Sequence, residues 1–94
     1  MAPTISLKVL THDGLVVSDE AVSVVAPGGL GYVGMLRNHA PMVTTVKPGT
    51  LAWTRADGAR RTVTVGEGLL EIARNQCTVL VSSVADEPSV KGRG

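Results

Sequence analysis

Two stretches of this 94-residue chain hold residue types that chemistry uses. The first is Gly29-Leu30-Gly31-Tyr32-Val33-Gly34, which fits the pattern G-x-G-x-x-G of dinucleotide-binding turns. In that chemistry a helix opens at the third glycine and aims its N-terminus at a pyrophosphate. Here Pro41 comes soon after, and the residues between show no amphipathic helical period, so the required context is missing. The second is His39. A histidine acting as general base needs a nucleophile or a carboxylate in reach. His12 and Asp13 are the distant helpers in view, and neither a nucleophile elbow nor metal-ligand spacing accompanies them. The favoured reading is a loop histidine whose ring nitrogens tie down neighbouring backbone.

The remaining reactive types read in the same direction. Cys77, between Gln76 and Thr78, reads as a small core residue. Glu67 and Glu71 do not form an acid–base pair without a cleft that the sequence does not reveal. Arg55, Arg60 and Arg61 flank an Asp57-Gly58 turn, where either an acidic partner or plain solvent can meet them. Trp53 and Tyr32 stand alone, so no stacking platform for single-stranded nucleic acid exists. No catalytic residue, cofactor or metal site is expected.

The elements that would carry these residues are strands. Ile5, Leu7 and Val9 alternate with Ser6 and Lys8, the period of a half-buried strand. His12-Asp13-Gly14 signals a hairpin with a return strand over residues 15–18. Asp19-Glu20 reads as a polar break before a third strand at 21–26. Short strands follow at 32–35 and 42–46. Leu51 and Trp53 lie on one face of the next strand, and Asp57-Gly58 turns it into 60–65, with Val63 and Val65 inward. A break at Gly66-Glu67-Gly68 precedes strands at 69–73 and 77–84. This spacing predicts an all-β fold, an antiparallel sandwich of about ten short strands, over residues 1–86, with a disordered tail at 87–94. No C-terminal helical hairpin is expected. Leu69, Leu70 and Ile72, and again Cys77, Val79, Leu80 and Val81, put apolar groups on both faces of their strands. Either a sheet face packs on another protein, or strand edges simply tolerate scattered apolar residues.

Residues 27–49 are the most heavily punctuated stretch. Gly28, Gly29, Gly31, Gly34 and Gly49, with Pro27, Pro41 and Pro48, bracket the polar knot Arg37-Asn38-His39. Such composition specifies a backbone path and a shaped loop offered to a partner. Composition bounds that partner. The net charge of +1 provides no strong pull toward nucleic acid or anionic lipid. No apolar run is long enough to span a bilayer, so any membrane association is expected to go through another protein. The N-terminal residues lack a basic segment followed by an apolar run, and the single cysteine fits a reducing compartment.

From Gly31 to Gly49 the chain resembles the epsilon subunit of F-type ATP synthase in its N-terminal β-sandwich domain. That family reads Gly-x-x-Gly-x-Leu-Pro-x-His-Ala-Pro-Leu-x-Thr followed by a Pro-Gly turn. Gly31, Gly34, Leu36, His39, Ala40, Pro41, Thr44, Pro48 and Gly49 fit it. The opening hairpin at 7–14, the approach at 24–28 and the closing segments at 68–72 and 78–80 resemble the family as well. Arg37 stands where proline is usual, and Glu67 and Leu69 replace a common Gly and Phe. The family continues into a two-helix C-terminal domain. Here Asp86-Glu87 is followed by Pro88 and a short glycine-containing tail.

The resemblance implies a non-catalytic rotor subunit in the central stalk. Its partners would be the gamma subunit, gripped by a sheet face, and the c-ring of the membrane sector. The ring-facing loop would comprise Gly28, Gly29, Leu30, Gly31, Tyr32, Val33, Arg37, Asn38 and His39. Gly34, Pro41, Pro48 and Gly49 would shape it, and His39 would brace it. The location implied is the cytoplasmic face of the cell membrane, peripheral, through the complex. Nucleotide binding and inhibition of hydrolysis belong to the family's helical domain and are not expected of this chain. The rivals are a stand-alone ligand-binding sandwich and a small hydrolase using His39.

Overall fold

Side-chain alternation decides which way each strand faces. The computed structural model describes residues 3–86; the tail expected at 87–94 lies outside them. Ten strands follow in order: β1 (Ile5–Thr11), β2 (Gly14–Ala21), β3 (Ser23–Gly28), β4 (Gly31–Leu36), β5 (Met42–Val46), β6 (Gly49–Thr54), β7 (Arg60–Val65), β8 (Gly68–Ala73), β9 (Gln76–Val81) and β10 (Val84–Asp86). The alternating residues of β1 are realised as expected: Ile5, Leu7 and Val9 are buried and Lys8 is exposed. Leu70, Ile72, Cys77, Val79, Leu51, Trp53, Val63 and Val65 are among those that join the same inward set from the other strands. Truncating one of these, such as Leu7, leaves a cavity and costs about 2–5 kcal/mol.

The hydrogen-bonded order is β10-β7-β6-β3-β5-β8-β9-β1-β2, with β4 paired to β3 outside that path. Two five-stranded layers result, β5-β8-β9-β1-β2 and β10-β7-β6-β3-β4. They join at one corner, because β3 pairs β6 through residues 23–25 and then reaches β5 at Gly28. At the opposite side β2 and β10 end the order and no ladder joins them among the described residues. The sandwich is therefore stitched along one side and open along the other.

The structure corrects four sequence expectations. Asp19-Glu20 is no break: β2 runs through both, since it is an edge strand and its polar groups reach the open seam. Residues 77–84 are not one strand. The chain bends at Ser82-Ser83, where Gly66 N donates to Ser83 O and Ser82 N to Glu67 O, and β10 leaves to join the other layer. The sandwich is not wholly antiparallel, because β1 and β9 pair in parallel. Finally, much of the punctuated stretch is regular. β3 and β4 form a full antiparallel hairpin from Ser23↔Leu36 to Gly28↔Gly31. Pro27 lies within this ladder, and its carbonyl accepts from Lys47 N at 2.8 Å.

Candidate protein-contact surfaces

The hairpin splits the predicted loop into two separate places. Gly28, Gly29, Leu30, Gly31, Tyr32 and Val33 surround its tip. Arg37, Asn38 and His39 form the turn at the far end of β4. The six residues of β4 lie between Leu30 at the tip and Arg37 at the turn, about 23 Å at the usual rise. They lie toward opposite ends of the sandwich.

At the tip, Gly31 adopts φ 130°, a backbone conformation that side chains rarely take, and this lets the chain reverse in two residues. Leu30 is thrust fully into solvent at 107% relative exposure, and Tyr32 is 64% exposed. The Tyr32 hydroxyl lies over Gly49, where an added Cβ would come within 3.2 Å of it and 3.1 Å of Pro27. Gly49 thus shapes the tip by making room. Gly34 does not: a Cβ there meets nothing within 4 Å and its φ is ordinary. The chain alone gives no reason for glycine at that position. Pro41 and Pro48 are exposed and flank β5.

The turn at the other end is held by cross-chain bonds. Asn38 has φ 68°, and its N–H donates to Asn75 Oδ1 at 2.6 Å. Asn75 Nδ2 donates back to Asn38 Oδ1 at 3.3 Å. Arg37 Nη1 donates to Thr4 O at 3.1 Å. His39 N donates to Leu36 O, and His39 Nδ1 lies 2.6 Å from Ala40 O. A carbonyl only accepts, so Nδ1 carries the proton. His39 braces its own turn, as the sequence suggested. His12 and Asp13 sit 3.3 Å apart on the exposed β1–β2 turn, at the hairpin-tip end, and take no part. The G-x-G-x-x-G residues lie in strand and turn, so the helix which that pattern requires is not there. Cys77 is buried, and burial pushes its thiol up to about 12, well away from a reactive thiolate.

A third surface is apolar. On the outer face of β5-β8-β9-β1-β2, cross-strand register lines up Thr45, Leu69, Leu80, Leu10 and Leu15. Leu69, Leu80 and Leu15 are more than half exposed, and Val43 beside them is 67% exposed. Val43, Leu69 and Leu80 line a shallow depression with Glu71 and Thr78. Leu69 and Leu80 were legible as two-sided apolarity. Leu10 joins them through the β1–β9 ladder, and Leu15 comes opposite Leu10 only through a register shift in the β1–β2 ladder, which periodicity does not show.

The open seam is a polar cleft lined by Val16, Asp19, Trp53, Arg55, Arg61, Thr62, Val84 and Asp86. Trp53 Nε1 donates to Asp19 Oδ2 at 2.8 Å, and Arg55 Nε lies 3.5 Å from Asp19 Oδ1. Partial burial pushes the Asp19 carboxyl up. The Trp53 indole, the Glu20 amide, Arg55 and Arg61 outweigh it, leaving Asp19 more acidic than usual. Sequence reasoning missed this bond, which joins residues far apart in the chain and in different layers.

The fold and these surfaces define a small β-sandwich whose features are exposed faces and projecting turns. Sequence comparison agrees and goes further. The profile of the family described as "ATP synthase, Delta/Epsilon chain, beta-sandwich domain" matches residues 4–87. The chain belongs to that family. Curated relatives named "ATP synthase epsilon chain" include those of Desulfosudis oleivorans, 40% identical over 83 residues (88% of this chain, 62% of that one), and Desulfitobacterium hafniense strain Y51, 35% identical over 91 residues (97% and 67%). The chain thus spans about two thirds of the relatives' length. Among solved structures, a chain of the Euglena gracilis mitochondrial ATP synthase, OSCP/F1/c-ring, superposes with TM-score 0.83 at 16% identity, covering 92% of this chain and 56% of that one. A chain from the Tetrahymena thermophila mitochondrial ATP synthase central stalk and c-ring gives 0.73 at 12%, covering 98% and 73%. At such identities these likenesses speak to fold alone.

Proposed function

We propose that this domain is a non-catalytic part of the central stalk of a rotary, proton-translocating ATP synthase. It joins the gamma subunit to the c-ring so that ion-driven rotation reaches the catalytic head. The observation that carries the reading is the apolar row Leu69, Leu80, Leu10 and Leu15 with Val43, on the outside of an otherwise ordinary sandwich. An exposed apolar row of this kind marks a protein contact. We assign it to gamma. The hairpin tip, with Leu30 and Tyr32, is the ring-facing foot, and the turn at Arg37–His39 is removed from that contact by the length of β4.

The role is mechanical. Torque passes through a body whose core is packed and whose two layers are bolted across the seam, without any nucleophile. Association with the membrane is peripheral, at the cytoplasmic face of the cell membrane, through the ring; no helix among the described residues is long and apolar enough to cross a bilayer. The rival ligand-binding sandwich calls for an apolar, enclosed pocket. The seam cleft is instead polar and spanned by Asp19.

Co-purification with gamma from the same source tests the assignment. Leu69→Glu and Leu80→Glu alter side chains about half exposed, so the fold should survive. Each is expected to weaken gamma binding by at least 30-fold, about 2 kcal/mol for a central contact. Wild-type affinity in both variants would remove gamma from this face.

A further inference from the structure

The strand directions segregate charge. Every arginine among the described residues lies at one end of the sandwich: Arg37 after β4, Arg55 after β6, Arg60 and Arg61 opening β7, and Arg74 after β8. The opposite end, carrying the hairpin tip, holds Lys47, Asp13 and Glu67. Carboxylates are present at the arginine end, among them Glu71, which lines a depression with Arg74, while others are engaged with groups other than arginine. Glu20 accepts from the Thr4 hydroxyl at 2.8 Å, and Asp57 accepts from Ala59 N at 2.9 Å within its own turn. Asp19 takes Arg55 and the Trp53 indole. Among the described residues, Arg37, Arg60, Arg61 and Arg74 have no carboxylate within ion-pair distance, and all four are exposed.

Two of these arginines sit in turns whose backbone is held. Arg37 and Arg74 immediately precede Asn38 and Asn75, the residues whose amides bond reciprocally across 37 positions of sequence. Arg74 and Asn75 have φ 55° and 62°, the two central residues of a tight hairpin turn between Ala73 and Gln76. Non-glycine residues take such angles at a cost, and the clasp holds them there. Arg37 is tied to Thr4 through one of its five N–H donors, which leaves its fork oriented with donors to spare.

We infer that this end docks an acidic protein surface, with Arg37 and Arg74, on either side of the Asn38–Asn75 clasp, as its anchors and Arg60 at the same end of the sandwich. It is a third contact, separate from the gamma face and from the ring-facing tip. The bonded Arg37 fork suits a carboxylate pair and needs less ordering on binding, while Arg74 is fixed at its backbone alone. The interspersed Asp19, Glu20 and Asp57 favour a short run of carboxylates on a protein over the continuous negative charge of a nucleic acid or a bilayer.

Amide NMR of the ¹⁵N-labelled chain tests this without any other subunit, so it stands or falls apart from the gamma assignment. Three probes are titrated: a hexaglutamate peptide, vesicles with one third phosphatidylglycerol, and a single-stranded oligonucleotide. The peptide is expected to shift amides at 37–39 and 74–76 and to lose at least fivefold in affinity between 50 and 300 mM salt. Arg37→Gln with Arg74→Gln should weaken it tenfold or more at unchanged melting temperature. Asn75→Gly keeps the left-handed backbone but deletes the clasp, and should weaken it two- to fivefold with both arginines present. Shifts elsewhere, equal response in the double variant, stronger binding of vesicles or oligonucleotide, or no response to the peptide would each overturn the inference.

Discussion

Removing the Asp19 carboxylate is the sharpest test of how the sandwich stays shut. β2 and β10 are the free ends of the strand order, so no backbone ladder closes that side. Asp19 on β2 bridges it, accepting from Trp53 Nε1 on β6 at 2.8 Å with Arg55 at 3.5 Å. Asp19→Ala leaves the indole N–H of a residue only 4% exposed without an acceptor. An orphaned buried donor costs about 1–3 kcal/mol, and loss of the partly exposed arginine attraction adds less than about 1. The total is about 2–3 kcal/mol, a fall of roughly 10–20 °C in melting temperature for a domain this small. Asp19→Asn keeps an oxygen for the indole and should lose about half as much. Trp53 is the chain's single tryptophan, so urea or thermal unfolding followed by its fluorescence reports the site directly. The pH dependence has a definite sign. The Asp19 carboxyl is held below its ordinary value in the folded state, so its contribution is complete above the unfolded value near 3.9. It fades as pH falls below that, through the lowered folded value. The gap between wild type and Asp19→Asn should therefore narrow below pH 4. An Asp19→Ala protein within 0.5 kcal/mol of wild type, with unshifted emission, would refute the reasoning.

Further outcomes follow from single positions. Gly34→Ala should leave stability equal or raised by up to about 1 kcal/mol, because its Cβ meets open space; reduced assembly into the synthase would then reveal a partner packed against that strand. Gly68→Ala should prevent folding or cost more than about 3 kcal/mol, since its Cβ would come within 2.7 Å of Val81 Cα and run into the Leu80 carbonyl; wild-type urea stability would contradict the close strand approach. Leu30→Ser should leave the urea midpoint unchanged, as the side chain touches only solvent, while weakening pull-down of an isolated c-ring. Cys77 should resist alkylation at pH 8 in the folded protein and react fully in urea; fast native labelling would mean that β9 opens locally.

Much of the architecture was readable because alternation is a local signal. Ile5, Leu7 and Val9, or Val63 and Val65, face inward as their spacing requires. The reading failed where a distant partner decides. Asp19 and Glu20 look like a break until one sees that their strand has solvent on one side. Residues 27–31 look like loop because glycine and proline disfavour strand, yet the β3–β4 ladder takes in Pro27, Gly28 and Gly31. The candidate site split for the same reason: once β4 forms, Gly31 and His39 must part. The Asn38–Asn75 clasp and the Asp19–Trp53 bond connect residues that share no sequence pattern.

The parallel ladder between β1 and β9 bears on how the domain is made. Ser6 pairs with Gln76, and Leu10 with Leu80. On a ribosome the first strand emerges early and must wait some seventy residues for this neighbour. Until then its edge is open to any passing chain, with only the β2 hairpin on its other flank. Such long-range closure places folding in the millisecond-to-second regime of all-β domains. A nascent fragment that stops before Gln76 has no route to the native core, and its exposed edge makes it a client for chaperones.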